Sequence, residues 1–316
     1  MSDLFRVIDP GPCTTVQDRG RFAHLRMGVP ASGAMDPYAF RAANLLAGND
    51  PGAAALEITF MGPTLETLCD ADIALTGADM DRTLDGAVFP MWRSVRVHAG
   101  SIIRIGQAAT GCRAYLSATG GIDAPIVMGS RSTYVSGGIG GMAGRALRRG
   151  DVLSRGDGKL LRRPRRLPWI PIFSDDILLR AVPGPQDDYF RENAGMFFSS
   201  AYTVATQADR MGCRLSGPVI ARDSGAPQSI ISEASMPGNI QIPPNGQPII
   251  LMMEQTIGGY TKIATVITPD LFKVAQARPG ATVRFVSLSI DEAHHLFKEW
   301  SKFIEDMGTA IASASR

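Results

Sequence analysis

The chain has 316 residues, 45% of them apolar and 20% charged, with a net charge of +2 at pH 7; this is globular composition, and the length suits two domains. No apolar run is long enough for a transmembrane helix, and the opening Met1-Ser2-Asp3-Leu4-Phe5-Arg6 lacks the basic stretch and apolar core of a signal peptide. Cys13, Cys69, Cys112 and Cys213 form no Cys-x-x-Cys pair and only four histidines occur, which disfavours a zinc knuckle, a disulfide scaffold or a histidine metal site and suits a reducing cytoplasm.

Short apolar or alternating runs bounded by Gly and Pro predict strands at Leu4–Ile8, Ala54–Phe60, Asp72–Thr76, Ser94–His98, Ser101–Ile105 and Arg113–Ala118. Between the first two, Asp36-Pro37 supplies a capping oxygen and a first-turn proline, Ala39, Ala42, Ala43 and Leu46 share a face, and Gly48 ends that helix. Further strands are predicted at Ile177–Val182, Tyr202–Thr206, Asn239–Ile242, Pro248–Met253, Lys262–Ile267 and Thr282–Leu288. Thr268-Pro269 repeats the helix start before Leu271–Gln276, and Ser289-x-x-Glu292 is a capping box opening a last helix through about Ile304. From Gly308 the tail is small and polar, and fraying is expected. A strand runs into Pro10-Gly11-Pro12 and another into Pro183-Gly184-Pro185, which suggests two related β domains in tandem.

Arg145 to Arg166 holds nine basic residues against Asp151 and Asp157, a local +7 in a chain whose remainder carries −5. No aromatic residue interleaves these cations, and Pro164 and Pro168 interrupt them, so a solvated interdomain linker is expected and a nucleic-acid surface is not. Gly-x-Ser-x-Gly and the phosphate-loop motif are absent. Gly138-Ile139-Gly140-Gly141-Met142-Ala143 has the dinucleotide spacing without a strand before it or a helix after it, and reads as a glycine-rich loop. None of the five lysines lies between methionines, so the biotin-carrying loop is not in this chain.

What remains is a set of polar, glycine-bearing segments joined to strands: Thr14–Arg21, Gly28–Asp36 leading to Asn44, Gly129–Thr133, Asp209–Gly212, Gln241–Pro248 and Gln255–Lys262. Glycine lets backbone amides approach a ligand, and Gln, Asn, Thr and Arg add neutral or cationic donors, which suits an amide, carboxylate or urea-like group. Pro243-Pro244-Asn245-Gly246 reads as a hairpin turn, while Gln255–Tyr260 reads equally as a turn and as a binding loop. Gln17, Asp18, Asp36, Asn44, Glu57, Arg131, Gln255, Thr256, Tyr260 and Lys262 are expected around one cleft. Gln255, Thr256 and Lys262 are the catalytic candidates and the others substrate contacts. Arg131 or Lys262 supplies fixed charge for a carboxylate, and Asp36 is read first as a helix cap.

Thr14-Thr15-Val16-Gln17-Asp18 with Gly20-Arg21, Gly28-Val29-Pro30 with Ser32-Gly33-Ala34-Met35-Asp36, and Ala43-Asn44-Leu45-Leu46 with Gly48-Asn49 resemble the biotin-dependent carboxyltransferase-like family. That family was long labelled allophanate hydrolase subunit 2 and includes KipA and the C component of bacterial 5-oxoprolinase. The resemblance continues through Leu56-Glu57, Gly129–Thr133, Asp209–Gly212, Pro237–Gln241, Gln255-Thr256 and Gly258-Gly259-Tyr260. It implies a mainly β chain with a few helices, built as two tandem cyclophilin-like β-barrel domains, 1–160 and 161–316. It also implies two partners, a KipI-like B component and an A component, in ATP-dependent opening of 5-oxoproline. The chain itself would hold no cofactor; ATP, or carboxybiotin in a urea-carboxylase-like alternative, would act through partner subunits. A third possibility is a KipA-type antagonist of a kinase inhibitor, without turnover. Two departures stand out: Gly20-Arg21-Phe22-Ala23-His24 where the family usually reads Gly-Arg-Pro-Gly-Tyr, and Met252-Met253-Glu254 where it usually carries an aspartate.

Overall fold

The structure, a computed structural model, describes residues Ser2–Ala314. Among the described residues, eighteen strands and four α-helices form two compact units. One comprises residues up to Phe22, Ser32–Phe173 and the chain from Ile304; the other comprises Ala23–Ala31 and Ser174–Phe303. The expected mainly β class holds. Among the described residues, no helix is long and apolar enough to cross a membrane.

The first unit contains β1 (Ser2–Asp9), β2 (Thr14–Gln17), helix α1 (Pro37–Ala47), β3 (Ala55–Thr59), β4 (Thr64–Thr67), β5 (Ala71–Leu84), β6 (Ala87–Val88), β7 (Ser94–Val97), β8 (Ile102–Ala118) and β9 (Val152–Arg155). Its nine-stranded sheet runs β2-β3-β8-β4-β1-β9, with β5 also paired to β8 and carrying β6 and β7. The runs predicted as Ser101–Ile105 and Arg113–Ala118 are the two ends of one strand, β8. Its first end pairs with β4 and its second with β3, so a single long strand serves two neighbours. Bulges in its ladder with β5 absorb the glycine-rich middle. Gly77, at φ +91°, is required there, because a Cβ would collide with the Arg113 carbonyl oxygen. Asp36 caps α1 as expected, accepting from Ala39 N at 2.9 Å, and Gly48 closes it in the left-handed conformation. The helix buries Ala39, Ala42, Ala43 and Leu46 completely. These small side chains let its backbone approach β5 closely enough for Thr76 Oγ1 to donate to Ala39 O at 2.7 Å.

The basic segment is not a free linker. Leu161 N donates to Asp72 Oδ2 at 2.6 Å, Arg165 N to Ser94 Oγ at 2.6 Å, and Arg165 Nη1 to the Leu45 carbonyl, near the end of α1, at 2.7 Å. A cation at a helix C-terminus meets carbonyls that lack intrahelical donors.

The second unit contains β10 (Asp176–Pro183), α2 (Ala194–Ser199), β11 (Ala201–Val204), β12 (Gly212–Ser216), β13 (Glu233–Ala234), β14 (Asn239–Ile242), β15 (Ile249–Leu251), β16 (Ile257–Gly258), β17 (Thr261–Val266), α3 (Leu271–Gln276) and β18 (Thr282–Ser287). The order β10-β17-β14-β15-β12-β11-β18 closes into a barrel through a parallel β10–β18 pair. Closure removes every exposed edge from those seven strands. Leu179, Ile240, Ile250, Val283 and Phe285 fill it, with Phe197 of α2 stacked on Phe285 at 4.7 Å. Strands β13 and β16 form a separate two-stranded ribbon.

Two helix expectations need correction. Thr268-Pro269 opens a 3-10 turn without the expected side-chain cap, although α3 itself spans Leu271–Gln276 as expected; Asp270 is fully buried against Arg180 and Lys273. The last helix, α4 (Ile290–Ala314), has its capping box, Ser289 N to Glu292 Oε2 at 2.8 Å, but does not fray at Gly308. Met307 and Ile311, one turn apart, are buried and carry the helix through the small-residue tail.

Candidate functional site

Gln17, Asp18, Asp36, Asn44, Glu57 and Arg131 all lie in the first unit, and their polar atoms bind mostly one another's loops. Asp18, just past β2, receives Ser130 Oγ at 2.6 Å, Ser132 Oγ at 2.5 Å, Arg131 N at 2.6 Å and Gly20 N at 2.8 Å. Burial pushes its pKa up, but the two hydroxyls and two backbone amides together outweigh burial and hold the carboxyl below its ordinary value. The carboxylate thereby folds the Gly129–Thr133 loop onto β2. Arg131 of that loop turns its guanidinium to Asp123 at 3.0 Å and to the Ala124 carbonyl.

Glu57 of β3 is buried and accepts from Met35 N at 2.9 Å and from the Tyr115 hydroxyl at 2.8 Å, while Tyr115 accepts from Asp36 N at 2.8 Å. Burial first, and then the Glu57 and Asp36 carboxylates, hold the Tyr115 hydroxyl well above its ordinary pKa, so it remains a donor to Glu57. Asn44 donates to Ala53 O at 2.8 Å and accepts from Ser117 Oγ at 2.6 Å, fixing the end of α1 against β8. Gln17 Nε2 bridges Thr15 Oγ1 and Thr133 O, each at 3.0 Å.

Gln255, Thr256, Tyr260 and Lys262 lie in the second unit, where a cavity of about 670 Å³ lies against β12, β14 and β15; Thr256 and Lys262 are not part of its lining. Gln255, Gly258, Gly259 and Tyr260 line one side of it; Gln241, Asn245, Gln247 and Arg214 contribute from β14, the β14–β15 turn and β12. That turn is the predicted hairpin, with Gly246 N on Pro243 O at 2.9 Å, and it is also part of the cavity wall. Gln255 Nε2 donates to Ile257 O at 2.6 Å and Gln255 N to Met252 O at 3.4 Å, so its own backbone amide is engaged within the turn. The Thr256 carbonyl accepts from Ser235 N at 3.0 Å, tying the loop to the β13 ribbon. Glu254, at the position next to Met253, is buried and ion-paired to Arg210 at 2.5 Å.

Lys262 of β17 is 2% exposed, and its Nζ meets Glu233 Oε1 at 2.6 Å. Opposite it in the ladder stands Gln241, 3% exposed, whose Nε2 is buried without a hydrogen-bond partner. Sequence reading assigned neither Gln241 nor Glu233 a site role. Gln241 carried a signal, an amide within the otherwise apolar run Ile240–Ile242; Glu233 carried none.

The family model for the carboxyltransferase domain, subdomains A and B, matches residues 27–287. The chain is 38% identical over 311 residues to the C component of the 5-oxoprolinase of Escherichia coli, covering 96% of this chain and 97% of that protein. Among solved structures, the urea amidolyase of Kluyveromyces lactis superposes with a TM-score of 0.90 at 35% identity, over 96% of this chain and 20% of that one. The urea carboxylase of the same organism gives 0.88 at 35%, over 96% of this chain and 29% of that one. With its sheet, its closed barrel and these likenesses in agreement, the chain belongs to the carboxyltransferase domain A and B family.

Proposed function

We propose that this chain is the C-type component of a 5-oxoprolinase, acting with partners of the A and KipI-like B types in the cytoplasm. The observation that carries the reading is its end-to-end likeness to the Escherichia coli protein, 96% of one chain on 97% of the other. The cavity supports it chemically: neutral amide side chains and glycine-rich backbone fit a lactam, and Lys262, opposite the wall residue Gln241 in the ladder, offers the cation that a carboxylate needs. In this role Gln255 and Thr256 orient the lactam carbonyl, and Lys262 holds the carboxylate. ATP acts through the partner subunits, and this chain's residues bind and position the ring. Release of glutamate from 5-oxoproline in the presence of ATP and the partner subunits should require this chain. Equal release without it would contradict the reading.

A second reading has its own support. The family model and the 0.88 superposition on a urea carboxylase favour a carboxyltransferase component, receiving carboxybiotin made by another chain. Consumption of ATP and bicarbonate with urea or another amide, and no glutamate from 5-oxoproline, would select it.

A further inference from the structure

A buried ammonium with a replaceable partner lies beside the cavity. Lys262 Nζ is enclosed, yet its counter-charge comes from Glu233, whose side chain is 47% exposed. Glu233 stands on β13, which is two residues long and whose ladder pairs only with β16, Glu233 opposite Gly258 and Ala234 opposite Ile257. A buried cation cannot be left unpaired, whereas a half-exposed carboxylate returns to water at small cost. The geometry is that of a charge held by a placeholder.

The neighbour strengthens this. Directly opposed residues of an antiparallel pair project from the same face, so Gln241 and Lys262 stand side by side. Gln241 Nε2 is a buried donor without an acceptor, a state that costs about 1–3 kcal/mol in general and is relieved when an acceptor arrives. The same ribbon covers both groups: a side chain on Gly258 would begin 2.5 Å from Gln241 Nε2, and Glu233 is the next residue across the ladder. Gln241 and Gly258 are also part of the cavity wall.

The geometry points to Lys262 and Gln241 as a recognition pair for a small cyclic carboxylate whose ring also carries an amide carbonyl, with Glu233 occupying the carboxylate position until the ligand displaces it. The ligand carboxylate replaces Glu233 on Lys262, its carbonyl accepts from Gln241 Nε2, and the β13–β16 ribbon moves aside. The inference rests on the 5-oxoprolinase reading for the ring but on the site's own charges for the carboxylate.

The test is calorimetric titration of the full chain with 5-oxoproline, cyclopentanecarboxylate (the acid without the lactam) and 2-pyrrolidone (the lactam without the acid). Glu233→Gln removes the competitor, so both acids should bind about tenfold tighter, a shift of about 1.4 kcal/mol, with 2-pyrrolidone unchanged. Lys262→Met should abolish binding of both acids, and its melting temperature checks the fold. Gln241→Met should erase the preference for 5-oxoproline over cyclopentanecarboxylate. A structural salt bridge would predict no gain in Glu233→Gln, and acid affinities there that are unchanged, weaker or undetectable overturn the inference. Tighter acid binding without any preference for 5-oxoproline leaves Lys262 standing as the carboxylate site and defeats both Gln241 as its carbonyl donor and the lactam reading. Binding of 5-oxoproline indifferent to Glu233→Gln and Gln241→Met does the reverse.

Discussion

The two units use the same residue types in glycine-bearing segments to opposite ends. In the first, Asp18, Glu57, Asn44 and Arg131 are matched to donors and acceptors of their own loops, and Asp18 alone receives four hydrogen bonds. In the second, Lys262 depends on a half-exposed carboxylate and Gln241 keeps a donor without an acceptor, both next to a cavity. A satisfied polar network stabilises and specifies a fold, whereas an unsatisfied one beside open space is where a ligand gains affinity. Gln17 Oε1 in the first unit is also buried without a partner, so an unpaired polar atom points to a site where a cavity adjoins it, as at Gln241.

The largest expected effect breaks the first network. Asp18→Ala leaves two hydroxyls and two backbone amides without their acceptor and should cost about 3 kcal/mol or more, read as a lowered urea midpoint. An effect below about 0.5 kcal/mol would show that the loop does not depend on this carboxylate. Next, the double substitution Gln255→Ala, Thr256→Ala should reduce turnover by about tenfold or more while leaving the urea midpoint nearly unchanged, since these side chains are partly exposed in a loop. A matching fall in stability would place them with the scaffold. Gly258→Ala should be milder in stability, about 1 kcal/mol, because the flexible Gln241 amide can yield. Its sharper effect should be weaker ligand binding, measured by the same titration.

The smallest effect is shared by both units. Asp18 in the first and Asp270 in the second are buried, which pushes their pKa values up. Hydrogen bonds, to Ser130 and Ser132 in one case and to Arg180 and Lys273 in the other, bring both below the ordinary 3.8. Folded values lower than unfolded ones mean that their stabilisation is complete above about pH 4 and is lost as the pH falls through the folded values. An unfolding midpoint that is flat above about pH 4 and declines below it is expected; a decline beginning at neutral pH would require other groups.

Much of the architecture was legible because strand alternation and helix caps are local. Asp36-Pro37, Gly48 and the Ser289–Glu292 box all act where expected. The joining of two predicted runs into β8 was not legible, because continuity through Gly106 and Gly111 depends on β5 lying alongside. Nor was the helical tail, whose small residues signal fraying until Met307 and Ile311 find a core. For the site, Lys262 and Gln255 could be chosen by chemistry, but the Lys262–Gln241 juxtaposition comes from strand register and the Glu233 contact from a two-residue ribbon. Both are long-range facts that a linear pattern does not contain.

The most direct measurement compares the units in one reaction. ATP-dependent opening of 5-oxoproline by the reassembled subunits should be followed for Arg131→Lys and for the Gln255→Ala, Thr256→Ala chain, with each melting temperature recorded. Near-normal kcat/KM per folded molecule is expected for the first-unit variant, and a fall of about tenfold or more at an unchanged melting temperature for the second. A comparable loss of kcat/KM from Arg131→Lys, with the second-unit variant fully active, would contradict this.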